Sequence, residues 1–399
     1  MWKVRQRMMR ILMGKKTMIY LDNAASTWPK PPGVIRAVNH VLKEVGANPG
    51  RSGHNLSIAA ARVILEAREA VASLFGVDDP LRIVFTKNAT ESLNIVISGL
   101  LKPGDHVVTS SMEHNSVMRP LRKMEEHGVK LTVVRCSGTG DLEPSDVEAA
   151  MRPETKAIIL THASNVTGTI MPITEVGAIS RRRGVVFCVD AAQTAGSLPI
   201  NIDSMNIDLL AFTGHKSLYG PQGTGGLFIG DGLEERIAPL MAGGTGSTSE
   251  HEVQPNFLPD MYESGTPNTP GIAGLMAGVH FVASRGIDTI RAHETDLSRY
   301  LMEGLGEIPG VRVFGNTDPM HSIPVVSFTI SSMSPSDVTS ILDDEYGIMS
   351  RPGLHCAPSA HKTIGAFPEG TVRFSLGWFN TSEEVRYTLD AVTKIAARR

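Results

Sequence analysis

The chain has 399 residues, 41% of them hydrophobic and 20% charged, which is long enough for two or three domains with a sizeable core. A formal net charge of −3 offers neither a broad basic field for nucleic acid nor an acidic solvating tail. No apolar run reaches the roughly 18 residues needed to span a bilayer, so no membrane partner is expected, and three scattered cysteines without a CxxC spacing fit a reducing cytoplasm rather than a disulfide framework.

Residues 1–17, MWKVRQRMMRILMGKKT, carry six basic side chains and no acid. Their apolar stretch is short for a secretory signal and they lack the serines of a transit peptide, so they read as a basic N-terminal tail, disordered or docked, without a motif. From Ile19 onward, short β-branched runs alternate with helical patterns. Strands are expected at 82–86, 106–110, 131–135, 156–164, 185–190, 208–214 and 225–230. Continuous apolar strands separated by helices predict an α/β fold whose large domain, 18–270, has a mainly parallel sheet covered by helices on both faces. After GTPNTPG (265–271) the texture changes. Helices are expected at 272–284 and 287–306, strands at 311–315, 324–330 and 371–379, and a last helix at 382–397. These form a smaller α+β C-terminal domain over 271–399.

Ligands in doubly wound sheets bind beyond the carboxyl ends of the strands, and chemistry-bearing residues gather there. AFTGHKSLYGPQGTGG (211–226) sets Lys216 just past a strand end, flanked by Thr213 and His215. Asp190 closes the apolar VVFCVD, where a carboxylate is desolvated unless it meets a donor or a cation. Asn88 and Glu91 form a capping-box pattern, and the helix they open has free N–H groups and the Thr90 hydroxyl, a ready anion site. Each feature has a plainer reading: a surface lysine, a helix-capping aspartate, an ordinary cap. Together they outline a phosphate, a ring nitrogen and a Schiff-base lysine. GPQGTGG (220–226) leads into a strand and lacks P-loop geometry. Thirteen dispersed histidines give no metal-ligand spacing, so no metal is expected.

In order along the chain, YLDNAAST (20–27), NATESLN, MEHNS (112–116), SNVTGT (164–169), VDAAQTAG (189–196), TGHKSLYGPQGTGG, ESGTPN (263–268), RPGLHCAP (351–358) and VRFS (372–375) resemble the class V aminotransferase family of fold-type I pyridoxal 5'-phosphate (PLP) enzymes, specifically NifS/SufS-like cysteine desulfurases. The resemblance runs over nearly the whole chain except the tail. It implies that Lys216 holds PLP and moves protons at the substrate Cα, that Asp190 pairs with the pyridine nitrogen, and that Gln193 contacts the ring hydroxyl. His114 would stack on the ring as a further catalytic residue. Ala89, Thr90, Thr213 and His215 would surround the phosphate, joined by Thr266 of the neighbouring subunit in a homodimer. Asn165 and Arg373 would grip the substrate carboxylate.

Cys356 points to the subgroup. In RPGLHCAP it sits in a short segment like that of the SufS-like enzymes, whose cysteine loop is compact, whereas the other subgroup carries it on a longer serine-rich loop. Histidine and arginine neighbours suit a thiolate. The implied reaction converts L-cysteine to L-alanine, leaves the sulfur on Cys356 as a persulfide and passes it to a sulfur-acceptor protein, toward an iron–sulfur cluster, a thionucleoside or a cofactor. Alternatives on the same scaffold are a selenocysteine lyase acting on L-selenocysteine, another PLP-dependent C–S lyase or an aminotransferase; from a different class, a non-catalytic scaffold in sulfur assembly. Two departures stand out: NPGRSGH (48–54) only approximates the family's Arg-Gly-x-His pattern, and Phe379 stands where a tyrosine often precedes the asparagine.

Overall fold

The structure, a computed structural model, describes residues 18–50 and 53–398. The basic tail expected over 1–17 lies outside the described residues, as do Arg51 and Ser52 of NPGRSGH. In chain order the strands are β1 (Ile19–Tyr20), β2 (Ile83–Thr86), β3 (His106–Ser110), β4 (Lys130–Val134), β5 (Thr155–Thr161), β6 (Val186–Asp190), β7 (Leu209–Thr213), β8 (Gly225–Ile229), β9 (Val311–Phe314), β10 (Val325–Ile330), β11 (Ile348–Met349), β12 (Arg351–Gly353) and β13 (Thr371–Ser375). The α-helices are α1 (Pro32–His40), α2 (Asn55–Phe75), α3 (Ala89–Leu100), α4 (Asn115–Glu126), α5 (Pro144–Ala150), α6 (Ile173–Arg183), α7 (Thr269–Arg285), α8 (Ile287–Gly306), α9 (Pro335–Tyr346), α10 (Pro358–Ile364) and α11 (Ser382–Ala396).

The large sheet has the order β2-β8-β7-β6-β5-β3-β4. Strands β4, β3, β5, β6 and β7 run parallel. Each side chain along them alternates between two apolar layers. Phe187, Val189 and Leu210 join Phe75 of α2 and Leu275 of α7 on one face. Cys188, Leu209 and Ala211 join Leu93 and Ile97 of α3 and Val117 of α4 on the other. Every residue of β6 and β7 is buried, which is why these strands read as unbroken apolar runs. Strand β8 is antiparallel to both neighbours, because the glycine-rich loop 214–224 folds straight back and no crossover helix intervenes. Gly225 opens β8 where a Cβ would lie 2.7 Å from the Phe212 carbonyl oxygen and 2.8 Å from Asn88 Cα. Only glycine lets the N-terminus of α3 approach so closely.

A second sheet, β12-β13-β10-β9, is antiparallel throughout. Whole elements tie residues 18–270 to residues 271–399. Strand β1 pairs in parallel with β11, and α7 packs against α1 and α2. The expected strand at 371–379 stops at Ser375, since Gly377 N donates to Asn380 Oδ1 at 2.9 Å and turns the chain toward the capping box that starts α11. The helix expected from 272 starts at Thr269: Asn268 Oδ1 accepts from Gly271 N, and Pro270 occupies the first turn, where its missing N–H costs nothing. At α3, Asn88 Oδ1 accepts from Glu91 N (3.0 Å), but the Glu91 carboxylate accepts from Lys87 N (2.6 Å) rather than from Asn88, so the cap reaches back one residue further than a capping box. Among the described residues no helix is long and apolar enough to cross a membrane.

Candidate active site

Thr161, Asp190 and Thr213, the last residues of β5, β6 and β7, meet in one cavity of about 260 Å³ beyond the carboxyl ends of the parallel strands. Lys216 enters it from the loop after β7, while Ala89 and Thr90 face it from the first turn of α3. His114 and Gln193 line it, as do His215, Asn165 and Arg373 from further elements. Of the sequence-expected residues, only two stand apart. Thr266 is exposed and lines a neighbouring cavity of about 440 Å³ with Lys87 and Glu91. Cys356 is exposed next to the cavity wall, with its Sγ accepting from Arg351 Nη2 at 3.7 Å.

The electrostatics of this cavity follow from burial. Burial pulls the Lys216 amine down to about 8; Asp190 opposes that shift, and Arg373 and Arg351 add to it. Asp190 is 3% exposed, and burial raises its carboxyl above the usual range, with opposing contributions from the Ala192 N–H, which donates to Oδ1 at 2.9 Å, and from the Lys216 charge. His114 caps α4, its Nδ1 accepting from Ser116 N at 3.1 Å. Burial lowers this imidazole to about 4, helped by Lys216 and Arg351, so it is neutral near pH 7. Thr90 Oγ1 and Ser116 Oγ lie 2.7 Å apart, joining the start of α3 to the start of α4.

Arg373 is 1% exposed. Its Nη2 donates to Asp22 Oδ1 at 2.9 Å and its Nη1 to the Asn165 carbonyl at 3.0 Å, while Nε is buried without a hydrogen-bond partner. Asn165 Nδ2 donates to the His355 carbonyl at 2.7 Å, so one side chain ties the arginine's neighbourhood to the residue before Cys356. His355 and Cys356 both adopt left-handed backbone, φ 48° and 59°, a turn that costs energy for non-glycine residues.

Four further residues shape this site, and of these only Arg351, an arginine neighbour of Cys356, carried a signal in the sequence. Arg351 lies directly opposite Arg373 in the β12–β13 register, which the sequence alone does not pair. Lys30 donates from Nζ to the His215 carbonyl at 2.7 Å, bracing the backbone just before Lys216, and burial lowers its amine to about 8. Asp22 sits in YLDNAAST, where its tie to Arg373 appears only once β1 joins the C-terminal strands. Glu113 is fully buried, accepts from Ser110 Oγ (2.6 Å) and Thr161 N (2.9 Å), and is pushed up to about 8 by burial. It clamps the loop bearing His114 to the strand end beside Asp190. Behind Lys216, a Cβ on Gly278 of α7 would collide with the Leu218 carbonyl oxygen, so this helix packs directly on the lysine loop.

PLP fits this donor set on the structure's own terms. His215 Nδ1 is buried without a hydrogen-bond partner at the edge of the cavity, the N-terminal N–H groups of α3 face the same space, and a buried carboxylate lies opposite. Gln193 Nε2 at present donates to the Ala24 carbonyl at 3.2 Å, and Thr213 Oγ1 lies 3.5 Å from the Thr224 carbonyl it donates to. No cluster of metal-ligating side chains occurs among the described residues.

A family model described as aminotransferase class-V matches residues 19–388. A probable cysteine desulfurase of Methanothermobacter thermautotrophicus is 37% identical over 382 residues, covering 95% of this chain and 94% of the relative. The apo structure of a cysteine desulfurase from Thermococcus onnurineus NA1 superposes with a TM-score of 0.90 at 35% identity, covering 95% of each chain. The cysteine desulfurase CsdA of Escherichia coli gives 0.84 at 30% identity, covering 95% of this chain and 94% of that one.

Proposed function

The chain belongs to the class-V aminotransferase family, and from that premise we propose that it is a PLP-dependent cysteine desulfurase that converts L-cysteine to L-alanine and takes the sulfur onto Cys356. The observation that carries the reading is the convergence of Lys216, Asp190 and Arg373 on one cavity, with the exposed Cys356 sulfur 3.7 Å from Arg351 in its wall. Lys216 would hold PLP, Asp190 its ring nitrogen, Gln193 its ring hydroxyl, and Ala89, Thr90, Thr213 and His215 its phosphate. Bound PLP supplies an aldehyde for the substrate amine and a ring that accepts negative charge from the substrate Cα.

Arg373 and Asn165 bind the substrate carboxylate; the free N–H of Arg373 Nε is the unused half of its fork. Near pH 8 the Lys216 amine exchanges protons with little cost, which suits it to take the proton from Cα and later return one to the alanine skeleton. His114, neutral at this pH, would stack on the ring face, its Nδ1 held by the Ser116 N–H and its Nε2–H left to donate a hydrogen bond to the reacting groups. The Cys356 thiolate attacks the substrate sulfur; a new S–S bond forms, the substrate Cβ–S bond breaks, and its electron pair returns to the carbon skeleton, which is protonated to alanine. Arg351 presents its positive charge to Sγ throughout. The compact segment around Cys356 supports the SufS-like subgroup, and the cytoplasm is the compartment the free cysteines suit.

Incubation of the PLP-loaded protein with L-cysteine and dithiothreitol tests this directly. Alanine and sulfide in equal amounts are expected. Pyruvate and ammonia would make the chain a β-lyase, and no turnover with PLP bound would make it a scaffold. We also propose a homodimer in which Thr266 of one protomer reaches the phosphate site of its partner, since Thr266 stands outside its own cavity. Light scattering is expected to give twice the chain mass for the active protein; a fully active, PLP-saturated monomer would refute it.

A further inference from the structure

Beside the segment that carries Cys356, α4 and α10 enclose an open groove of about 560 Å³. Arg119, Arg122 and Lys123 of α4 and Lys362 of α10 line it, and Glu126 is the acid in its lining. Glu125 on the same helix answers Arg122 at 2.6 Å, so with both glutamates counted the groove keeps an excess of positive charge, against the −3 of the whole chain. It adjoins the segment that carries the sulfur: Asn115 and Pro358 line it, and Asn115 N donates to the Cys356 carbonyl at 2.8 Å. Lys362 Nζ lies 4.8 Å from the ring of Phe367, which is 45% exposed and offers an apolar contact next to the charges.

We propose that this groove docks the acidic surface of a cysteine-bearing sulfur-acceptor protein, an inference that rests on the desulfurase reading. A persulfide on Cys356 leaves when the acceptor's thiolate attacks the outer sulfur: a new S–S bond forms on the acceptor, the bond to Cys356 Sγ breaks, and its electron pair stays on Cys356 as thiolate. The step needs a thiol brought to an exposed sulfur in one orientation, and a positive groove alongside selects and orients a partner of opposite sign. A polyanion without a thiol, such as RNA, would fill the charges but supply no nucleophile, so a protein is the occupant that both the charge and the exposed sulfur fit.

The test uses the PLP-loaded full chain and three sulfur acceptors: an Asp/Glu-rich peptide with one cysteine, a Lys-rich peptide with one cysteine, and dithiothreitol. The acidic peptide is expected to accept sulfur about tenfold faster than the basic one at low salt, with the gap closing at high ionic strength. Lys123→Glu/Lys362→Glu is expected to abolish the gap and leave the dithiothreitol rate unchanged. Equal rates for the two peptides would overturn the proposal, as would a parallel loss of the dithiothreitol rate in the double variant. Competition by an oligoribonucleotide at lower concentration than by a cysteine-free acidic peptide of equal charge would also overturn it, in favour of nucleic acid. Absence of alanine release with dithiothreitol in the wild type would sink the desulfurase reading itself, and the proposal with it.

Discussion

Cys356→Ala is expected to release sulfide from L-cysteine at least about 100-fold more slowly than the wild type, with PLP binding intact and turnover of L-selenocysteine largely spared. The asymmetry is chemical. A thiol is mostly protonated at neutral pH and its sulfur has to be drawn off by a nucleophile, whereas a selenol is far more acidic and its selenium departs without one. No other cysteine can stand in. Cys136 is buried and its thiol is pushed up to about 11, chiefly by burial, and Cys188 lies inside β6, where burial and the Asp190 charge push its thiol higher still. Cys356 is the exposed one, and Arg351 donates to its sulfur. The measurement is alanine and sulfide formation from L-cysteine beside selenide formation from L-selenocysteine, with the absorbance of bound PLP as the control for folding. Wild-type sulfide release by Cys356→Ala, with an unchanged spectrum, would remove Cys356 from the reaction.

Strands β6 and β7 were legible because they are buried on both faces, so each reads as an apolar run ending in a single polar residue. Asp190, Thr213 and the Lys216 loop stood out together at these strand ends, where a carboxylate closing so apolar a run has little solvent to satisfy it. What stayed illegible depends on pairing between distant segments. Asp22 meets Arg373 across 351 residues, and Arg351 reaches the cavity wall only by lying opposite Arg373 in an antiparallel ladder. Lys30 and Glu113 act through backbone groups, the His215 carbonyl and the Thr161 N–H, which no side-chain pattern encodes. Strand β8 was legible but its antiparallel direction was not, because a glycine-rich loop specifies a tight return without specifying which strand it pairs with. Phe379 shows the reverse case: a departure at the level of motif that the structure absorbs, since its ring packs edge-on to Tyr219 and stacked with Phe281 behind the lysine loop.

Asp190→Asn is expected to push two measurements in opposite directions. In the cofactor-free chain, the Lys216 amine titrates near 8 because burial disfavours the ammonium more strongly than the Asp190 carboxylate restores it. Removing that carboxylate withdraws the larger restoring charge and leaves Asp22 alone to oppose Arg373 and Arg351, so the amine falls below 8 and a larger fraction is neutral at pH 7. Acylation of Lys216 at pH 7, followed by peptide mapping, is therefore expected to be faster in Asp190→Asn, with its pH midpoint moved down from that of the wild type. Turnover of L-cysteine by the PLP-loaded variant is expected to fall about 100-fold or more, because an amide cannot keep a proton on the ring nitrogen as a carboxylate does. A general loss of structure would slow both reactions, so only the opposed pair identifies Asp190 as the charge that serves both the lysine and the ring. Unchanged turnover in the variant, or a Lys216 midpoint that moves up, would be incompatible with that role.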